Sequence, residues 1–404
     1  MCAKVRLVKG RITLYNGTYP EKPFGEVSAM KKIILIPDSF KGTLSAMDVC
    51  RIMAAQIERH APSAQVVSIP VADGGEGSVD CLLTALGGER IAVPVAGVFG
   101  EPMEGFFGLL PGGETAVIEM ACCAGLPLAA GRLDPLRATT YGVGQLMVAA
   151  AQRGAKHILL GLGGSASHDG GCGAAAACGV RFLDAAGEAF VPIGGMLMRI
   201  ADIDVSGLDA ALAGVRITAM CDIDNPMFGP AGAASVFAPQ KGANARMVRF
   251  LDAGTRHLSG VFREKLGLDL SSMPGGGAAG AMGAGMCALL GASLRPGIET
   301  VLDTVDFDSQ LAGAGLVLTG EGRLDSQSLG GKVVIGVARR ARARGVPVIA
   351  LVGGLGEGWR GAYAEGVTAM LSINTRPMTL EEAGHHAEEN LAATTENLLR
   401  ILGI

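Results

Sequence analysis

The chain has 404 residues, of which 49% are apolar and 18% charged, with a formal net charge of −4. That length calls for two domains rather than one core, and the apolar share is enough to fill both. A mildly acidic chain with no basic stripe and no cluster of aromatic and basic residues has no nucleic-acid partner to expect. Aromatics make up only 4%, so the cores must be built from Ala, Val, Leu, Ile and Met. The 62 glycines fall in clusters between apolar runs, as tight loops on a rigid scaffold do. Nine cysteines, an odd count with no C-x-x-C pair, read as reduced thiols in a cytoplasmic protein.

Residues 1–29 carry scattered Lys and Arg, two prolines, no periodicity and no apolar segment of the signal-peptide kind. They are expected to be an N-terminal extension outside the fold. KKIILIP, from Lys31 to Pro37, reads as a buried strand of the parallel type. Ser45 and Asp48 then open a helix whose Val49, Ile52, Met53 and Ile57 share one face. QVVSIPV is the next strand. A similar pattern returns late: the strand GLVLTGEG, a helix through VVIGVARRARARG, the strands PVIALVGG and VTAMLSI, and a final helix opening at Thr379 with Glu382 three residues on. Strands alternating with helices predict a doubly wound parallel sheet.

Between these parts the runs RIAVPVAG, GFFGLL and TAVIEM alternate in the manner of antiparallel strands, and a helix–strand unit ending in HILLGLGG follows. The expected architecture is therefore one α/β domain from residues 30–88 and 291–404, with a mixed α/β domain of residues 89–290 inserted into it. The uncharged stretch from Met273 to Leu294 is mostly Gly and Ala and includes Pro274, which makes it a poor membrane span.

Five loops carry chemistry, and most follow a strand, where α/β sheets bind ligands. Asp38-Ser39-Phe40-Lys41-Gly42-Thr43 offers a carboxylate, a cation and hydroxyls at a helix entry, which favours anions. Ala72-Asp73-Gly74-Gly75-Glu76-Gly77 places two acids among glycines. Gly161-Leu162-Gly163-Gly164-Ser165-Ala166-Ser167-His168-Asp169 matches a dinucleotide fingerprint after a strand, with Asp184 spaced as a ribose-binding acid. Its Ser165, Ser167 and Asp169 also suit a phosphate cradle with a catalytic acid. Cys221-Asp222-Ile223-Asp224-Asn225-Pro226 suits a hard cation such as Mg²⁺, and Lys241 in APQKGA suits a phosphate or carboxylate. Glu321, Arg323, Asp325 and Lys332 crowd the fifth loop. Ordinary turn and capping chemistry explains part of each loop, but the set together fits phosphoryl transfer. No Walker A or protein-kinase signature is present.

At these loops the chain resembles the bacterial type-1 glycerate kinases. The resemblance is colinear from about Met30 to the C-terminus, through PDSFKGTLS, ADGGEG, GGSASHDGG, CDIDNP with APQKGA, PGGGAAGAMG and GEGRLDSQSLGGK. It implies ATP-dependent phosphorylation of D-glycerate with Mg²⁺, commonly to 2-phosphoglycerate, with 3-phosphoglycerate as the alternative product. It also implies a Rossmann-like (flavodoxin-like) domain joined to a second α/β domain, with the site in the cleft between them and a homodimer as a conceivable assembly. The roles it suggests make Asp169 the base that activates the substrate hydroxyl, with Asp38, Lys41 and Arg323 beside it. Gly163, Gly164, Ser165, Ser167, Lys241 and Lys332 would bind nucleotide, and Asp222, Glu321 and Asp325 the metal. Asp73 and Glu76 are further motif acids. His168 stands where the family loop usually has Asn; a tolerated swap of similar hydrogen-bonding chemistry is the plainer reading, and an imidazole that makes activity pH-dependent below neutrality is the alternative. Two rivals remain: an NAD-dependent oxidoreductase using the Gly161-x-Gly163-x-x-Ala166 loop, and a nucleotide sensor without turnover.

Overall fold

A computed structural model describes residues 5–8, 11–14 and 31–404. In the first 30 residues, Val5–Val8 pairs antiparallel with Arg11–Leu14; the rest of the expected extension lies outside the described residues. Eleven strands of the main body form two sheets. They are β1 (Lys32–Leu35), β2 (Gln65–Ser68), β3 (Glu89–Ala96), β4 (Pro102–Leu109), β5 (Thr115–Glu119), β6 (His157–Gly161), β7 (Arg216–Met220), β8 (Ser293–Arg295), β9 (Leu316–Glu321), β10 (Val348–Val352) and β11 (Ala369–Ser372).

The first sheet is parallel throughout, in the order β11-β10-β9-β1-β2. Its inner strands are the continuous apolar runs of the sequence, and every residue of β9 and β10 is buried, because helices cover both faces. The helix Ala46–His60 turns Val49, Ile52, Met53 and Ile57 inward, each such side chain contributing roughly 1.5–3 kcal/mol. Its start is fixed by Ser45, whose hydroxyl accepts from the Asp48 amide at 3.1 Å.

The second sheet has the order β8-β7-β6-β5-β4-β3. The three alternating runs are antiparallel to one another as expected, and β5 then continues the sheet in parallel with β6, β7 and β8. A separate three-stranded sheet places Arg181–Leu183 between Ala189–Phe190 and Asp202–Asp204.

Two details differ from the sequence reading. The mixed sheet runs past residue 290, because β8 pairs with β7. The final helix is two helices, Leu380–His385 behind a complete Thr379–Glu382 capping box and Ala387–Leu402 after a break at His386. The two sheets also share a hydrophobic layer. Val79 and Leu82 of the helix Ser78–Leu86 lie in one cluster with Ile34 and Val317 of the parallel sheet and Val117 and Leu159 of the mixed one. That continuous core brings the carboxyl ends of both sheets together.

Candidate active site

The loops after β1 and β9 meet first. The Asp38 amide donates to the Gly320 carbonyl at 2.9 Å, extending the ladder beyond the strands and setting Asp38 beside Glu321. From the other sheet, the loop after β7 brings in Asp222, which accepts from the Gly297 amide at 2.7 Å. Asp73 reaches the same place from the loop after β2. Burial pushes the Asp38 carboxyl up to about 7, helped by the charge of Asp73. Asp222 is pushed to about 7 by burial and again by Asp73, and Glu321 to about 7 by burial. Lys332 is the cation that offsets all three. Asp38 accepts from the Ser39 amide at 2.6 Å as Asp222 does from Gly297, whereas Glu321 Oε1 is buried with no hydrogen-bond partner. Crowded carboxylates in a low-dielectric site hold onto protons until a cation arrives.

Asp73, Asp222 and Lys332 form the polar end of a groove of about 290 Å³. Gly163, Gly164, Ser165 and Lys241 line one side, and Leu126, Leu162, Ile223, Phe237 and Ala279 supply an apolar wall. A groove with one apolar and one charged end suits a nucleotide, base on the wall and phosphates among the charges. The donor chemistry fits Mg²⁺, a hard cation that takes one or two carboxylates and keeps phosphate and water for the remainder. The expected trio of Asp222, Glu321 and Asp325 does not form a cage: no group of three or more His, Cys, Asp or Glu is arranged for a metal among the described residues. Asp325 instead accepts from the Gln327 amide at 3.0 Å and pairs with Arg323 at 3.2 Å.

The third loop divides in two. Gly163, Gly164 and Ser165 face the groove, while Ser167, His168 and Asp169 are fully buried. Asp169 accepts from the Thr140 amide at 2.7 Å, the Thr140 hydroxyl at 2.9 Å and the amides of Gly171 and Gly173 at 3.1 and 3.3 Å. A carboxylate so occupied and so enclosed has no line to a substrate hydroxyl, so the structure moves the choice of base away from Asp169. His168 is likewise corrected: burial and the Lys241 charge lower its pKa to about 3, and Nε2 meets the Thr255 hydroxyl at 2.9 Å. It is neutral throughout the physiological range and has no titration to offer. Lys241 is held by Ser165 Oγ and the Ser167 carbonyl, both at 2.6 Å, and burial lowers its pKa to about 7. It therefore underlies the cradle instead of reaching out from it.

The fingerprint glycines have a different purpose from pyrophosphate binding. A Cβ on Gly161 would lie 2.3 Å from the Gly74 carbonyl oxygen, and one on Gly163 would lie 2.7 Å from Gly75 Cα. The ADGGEG and GLGG loops are packed backbone against backbone, and only glycine permits that approach. Asp184 is turned into the small sheet's hairpin, where it accepts from the Ala186 and Glu188 amides and pairs with Arg199. The dinucleotide reading loses both of its supports.

Of the remaining residues, Lys41 and Arg323 are exposed on adjacent loops at the rim, and Glu76 is exposed away from the groove lining. Two features were missed by sequence reasoning. Glu119, at the end of β5, is buried and accepts from the Gly77 and Val79 amides at 3.0 and 2.7 Å. It thereby occupies the N-terminus of the helix Ser78–Leu86 that follows the ADGGEG loop; the acid near the end of the apolar run TAVIEM was the available signal. The loop Gly353–Gly358 after β10 zips onto the fifth loop, with Leu324 donating to Gly354 and Ser326 to Glu357. Its glycines were visible in the sequence without a partner to assign. The groove's apolar wall also carries strain: Ala279, Gly280 and Ala281 are all left-handed, with φ of 53°, 69° and 68°. Two alanines there cost about 1–2 kcal/mol each.

The chain is also similar to known proteins over most of its length. The sequence profile described as "Glycerate kinase family" matches residues 33–403. A glycerate kinase of Bacillus cereus is 44% identical over 371 residues, covering 92% of this chain and 97% of the relative. The glycerate 2-kinase of Escherichia coli is 41% identical, covering 92% and 98%. The crystal structure of a "putative glycerate kinase 2" from Salmonella typhimurium LT2 superimposes with a TM-score of 0.82 at 40% identity, covering 92% of this chain and 98% of that one.

Proposed function

The chain belongs to the glycerate kinase family, whose members are phosphotransferases, and we propose that it transfers the γ-phosphoryl group of ATP to the 2-hydroxyl of D-glycerate with Mg²⁺. The observation that carries this reading is the crowding of Asp38, Asp73, Asp222 and Glu321 around Lys332, with Asp73, Asp222 and Lys332 themselves lining the charged end of the groove. Phosphoryl transfer asks for positioning and charge compensation more than for covalent chemistry, and those loops supply both signs of charge. The E. coli relative's name, glycerate 2-kinase, supports 2-phosphoglycerate as the product. The parallel sheet's strand order, 2-1-3-4-5 within its own segment, is that of flavodoxin-like sheets and supports a Rossmann-like domain with a second domain inserted.

In this reading Asp38 takes the proton of the glycerate hydroxyl, because its raised pKa suits a base working near neutrality. Lys332 draws the phosphates toward the acids, and the Gly163–Ser165 backbone, braced from beneath by Lys241, cradles them. Asp222 and Glu321, facing Asp38 from the two sheets, would hold Mg²⁺, which when bound neutralises charge on the phosphates. Lys41 and Arg323 at the rim take the glycerate carboxylate. No helix among the described residues is long and apolar enough to cross a membrane; with the eight free cysteines described, a cytoplasmic location follows as part of the same proposal.

A coupled assay with ATP, Mg²⁺ and D-glycerate, followed by phosphorus NMR of the product, tests it. ADP release with a 2-phosphoglycerate resonance is expected. A 3-phosphoglycerate resonance would overturn the regiochemistry alone, and no ADP release would overturn the whole reading.

A further inference from the structure

A second cavity, of about 790 Å³, opens at the other end of the mixed sheet. Thr115, His157 and Arg216, the first residues of β5, β6 and β7, lie in register across it. Arg295 and the carboxyl half of the helix Gly297–Thr304 close the far side. The catalytic loops follow the carboxyl ends of the same strands, and the cavity extends from the strand starts to Arg295, which pairs in register with Met220 of the groove lining.

The cavity's charge is positive and incompletely answered. Arg216 has no carboxylate within ion-pair distance among the described residues; its guanidinium donates to His157 Nδ1 at 2.9 Å. That leaves the ring proton on Nε2, which meets the Thr218 hydroxyl at 2.9 Å. Arg295 pairs with Asp303 at 2.9 Å, which also meets Arg340 at 2.6 Å, although Arg340 has Glu299 and Asp308 as further partners. Among the lining residues two arginines therefore face one acid. Burial and the charges of these two arginines hold His157 down to about 4, so the imidazole is neutral and adds no repulsion. Of the wall hydroxyls, Ser293, Thr300 and Thr304 already donate to the Ile217, Pro296 and Thr300 carbonyls, which leaves Thr115 and Thr218 as further donors. The volume exceeds that of an inorganic ion and lies in the range of metabolite pockets.

The helix Gly297–Thr304 ties this cavity to the catalytic loops. Thr300, Asp303 and Thr304 line the cavity, while the Gly297 amide at the helix start holds Asp222. A Cβ on Gly297 would lie 2.1 Å from the Asp73 carbonyl oxygen, so that end cannot move without moving the acids. Ile298, Val301 and Leu302 are fully packed in the shared core, and a helix so held shifts as one piece.

We propose that this cavity is a second small-molecule site, taking an organic anion that carries a phosphate or carboxylate group, and that the helix Gly297–Thr304 transmits its occupancy to Asp222. The arginines bind the anion by charge-assisted hydrogen bonds, each worth roughly a tenfold change in affinity. Titration calorimetry of the full chain, with ADP held in the catalytic groove, uses inorganic phosphate and succinate as probes for the two anion chemistries. Expected is saturable binding of at least one probe, weakened roughly tenfold by Arg216→Gln and again by Arg295→Gln. Arg216→Gln should keep the anion-free kcat, which also shows that it folds. No binding by either probe would overturn the site. So would binding that survives both arginine changes and disappears in Lys332→Ala, since that anion would be in the catalytic groove. Transmission requires the bound probe to change the KM for glycerate in the parent and not in Arg216→Gln. Binding with no kinetic change would overturn the link through the helix.

Discussion

Around Asp169 both charges are answered, the carboxylate by four donors and Lys241 by two oxygens. Around Asp38, four carboxylates crowd together with Asp73 among them, and Lys332 is the cation that offsets Asp38, Asp222 and Glu321. The two regions are built from the same materials, glycine loops with an acid and a lysine, and border the same groove. What separates them is access. Asp169 and Lys241 are sealed under the cradle with their own partners complete, although Ser167 Oγ and His168 Nδ1 of the same loop are buried without one, whereas the Asp38 cluster lies beside the groove with more acids than answering cations. An unanswered charge in a low-dielectric pocket is a standing preference for a ligand of opposite charge, and its cost is met by the rest of the fold.

The comparison breaks most visibly if the incomplete cluster is altered. Glu321→Gln should lower kcat by about 10²–10³-fold, as loss of one preorganised electrostatic group does, while its melting temperature holds or rises. Steady-state kinetics beside a thermal melt reads both. The sealed network should behave in reverse. Asp169→Ala leaves buried donors unanswered and should cost about 3–5 kcal/mol of stability, measured by denaturant unfolding, with kcat per folded molecule retained.

Between those extremes lies pH. Asp38, Asp222 and Glu321 rise to about 7 from unfolded values of 3.8, 3.8 and 4.5. Between those values the folded chain keeps protons that the unfolded chain releases, so nucleotide-free stability falls as pH climbs through that window. Melts across the window should show this slope, and Asp38→Asn should flatten it. The smallest effects sharpen the edges of the comparison. Ala279→Gly relieves a left-handed alanine on the groove wall and should stabilise by about 0.5–1 kcal/mol. His168→Asn should leave the pH dependence of kcat/KM superimposable on the parent, because the imidazole is already neutral.

The sequence made the scaffold legible where the physics is local. Buried parallel strands show as unbroken apolar runs such as KKIILIP, and the N-cap at Ser45 and the capping box at Thr379 mark real helix starts. The gathering of the motif loops was legible too, since Asp38, Asp73, Asp222, Glu321 and Lys332 come together. Which acid faces the groove was not. SASHDGG reads as an exposed polar loop, yet it is interior because Gly280 and Gly285 let another backbone pack against it. The four donors to Asp169 come partly from Thr140, 29 residues away, and no spacing rule reveals such a partner. Glu119 was hidden for the same reason: its amide partners lie some 40 residues earlier in the chain.

The central claim is that the reacting groups sit in the incomplete cluster and not in the sealed one. Its most direct test is the kcat of Asp38→Asn beside that of Asp169→Asn, with ATP, Mg²⁺ and D-glycerate, each normalised to the folded fraction. A loss of about 10²-fold or more in Asp38→Asn with near-parental turnover in Asp169→Asn is the predicted result. Turnover preserved in Asp38→Asn and abolished in a folded Asp169→Asn would contradict it.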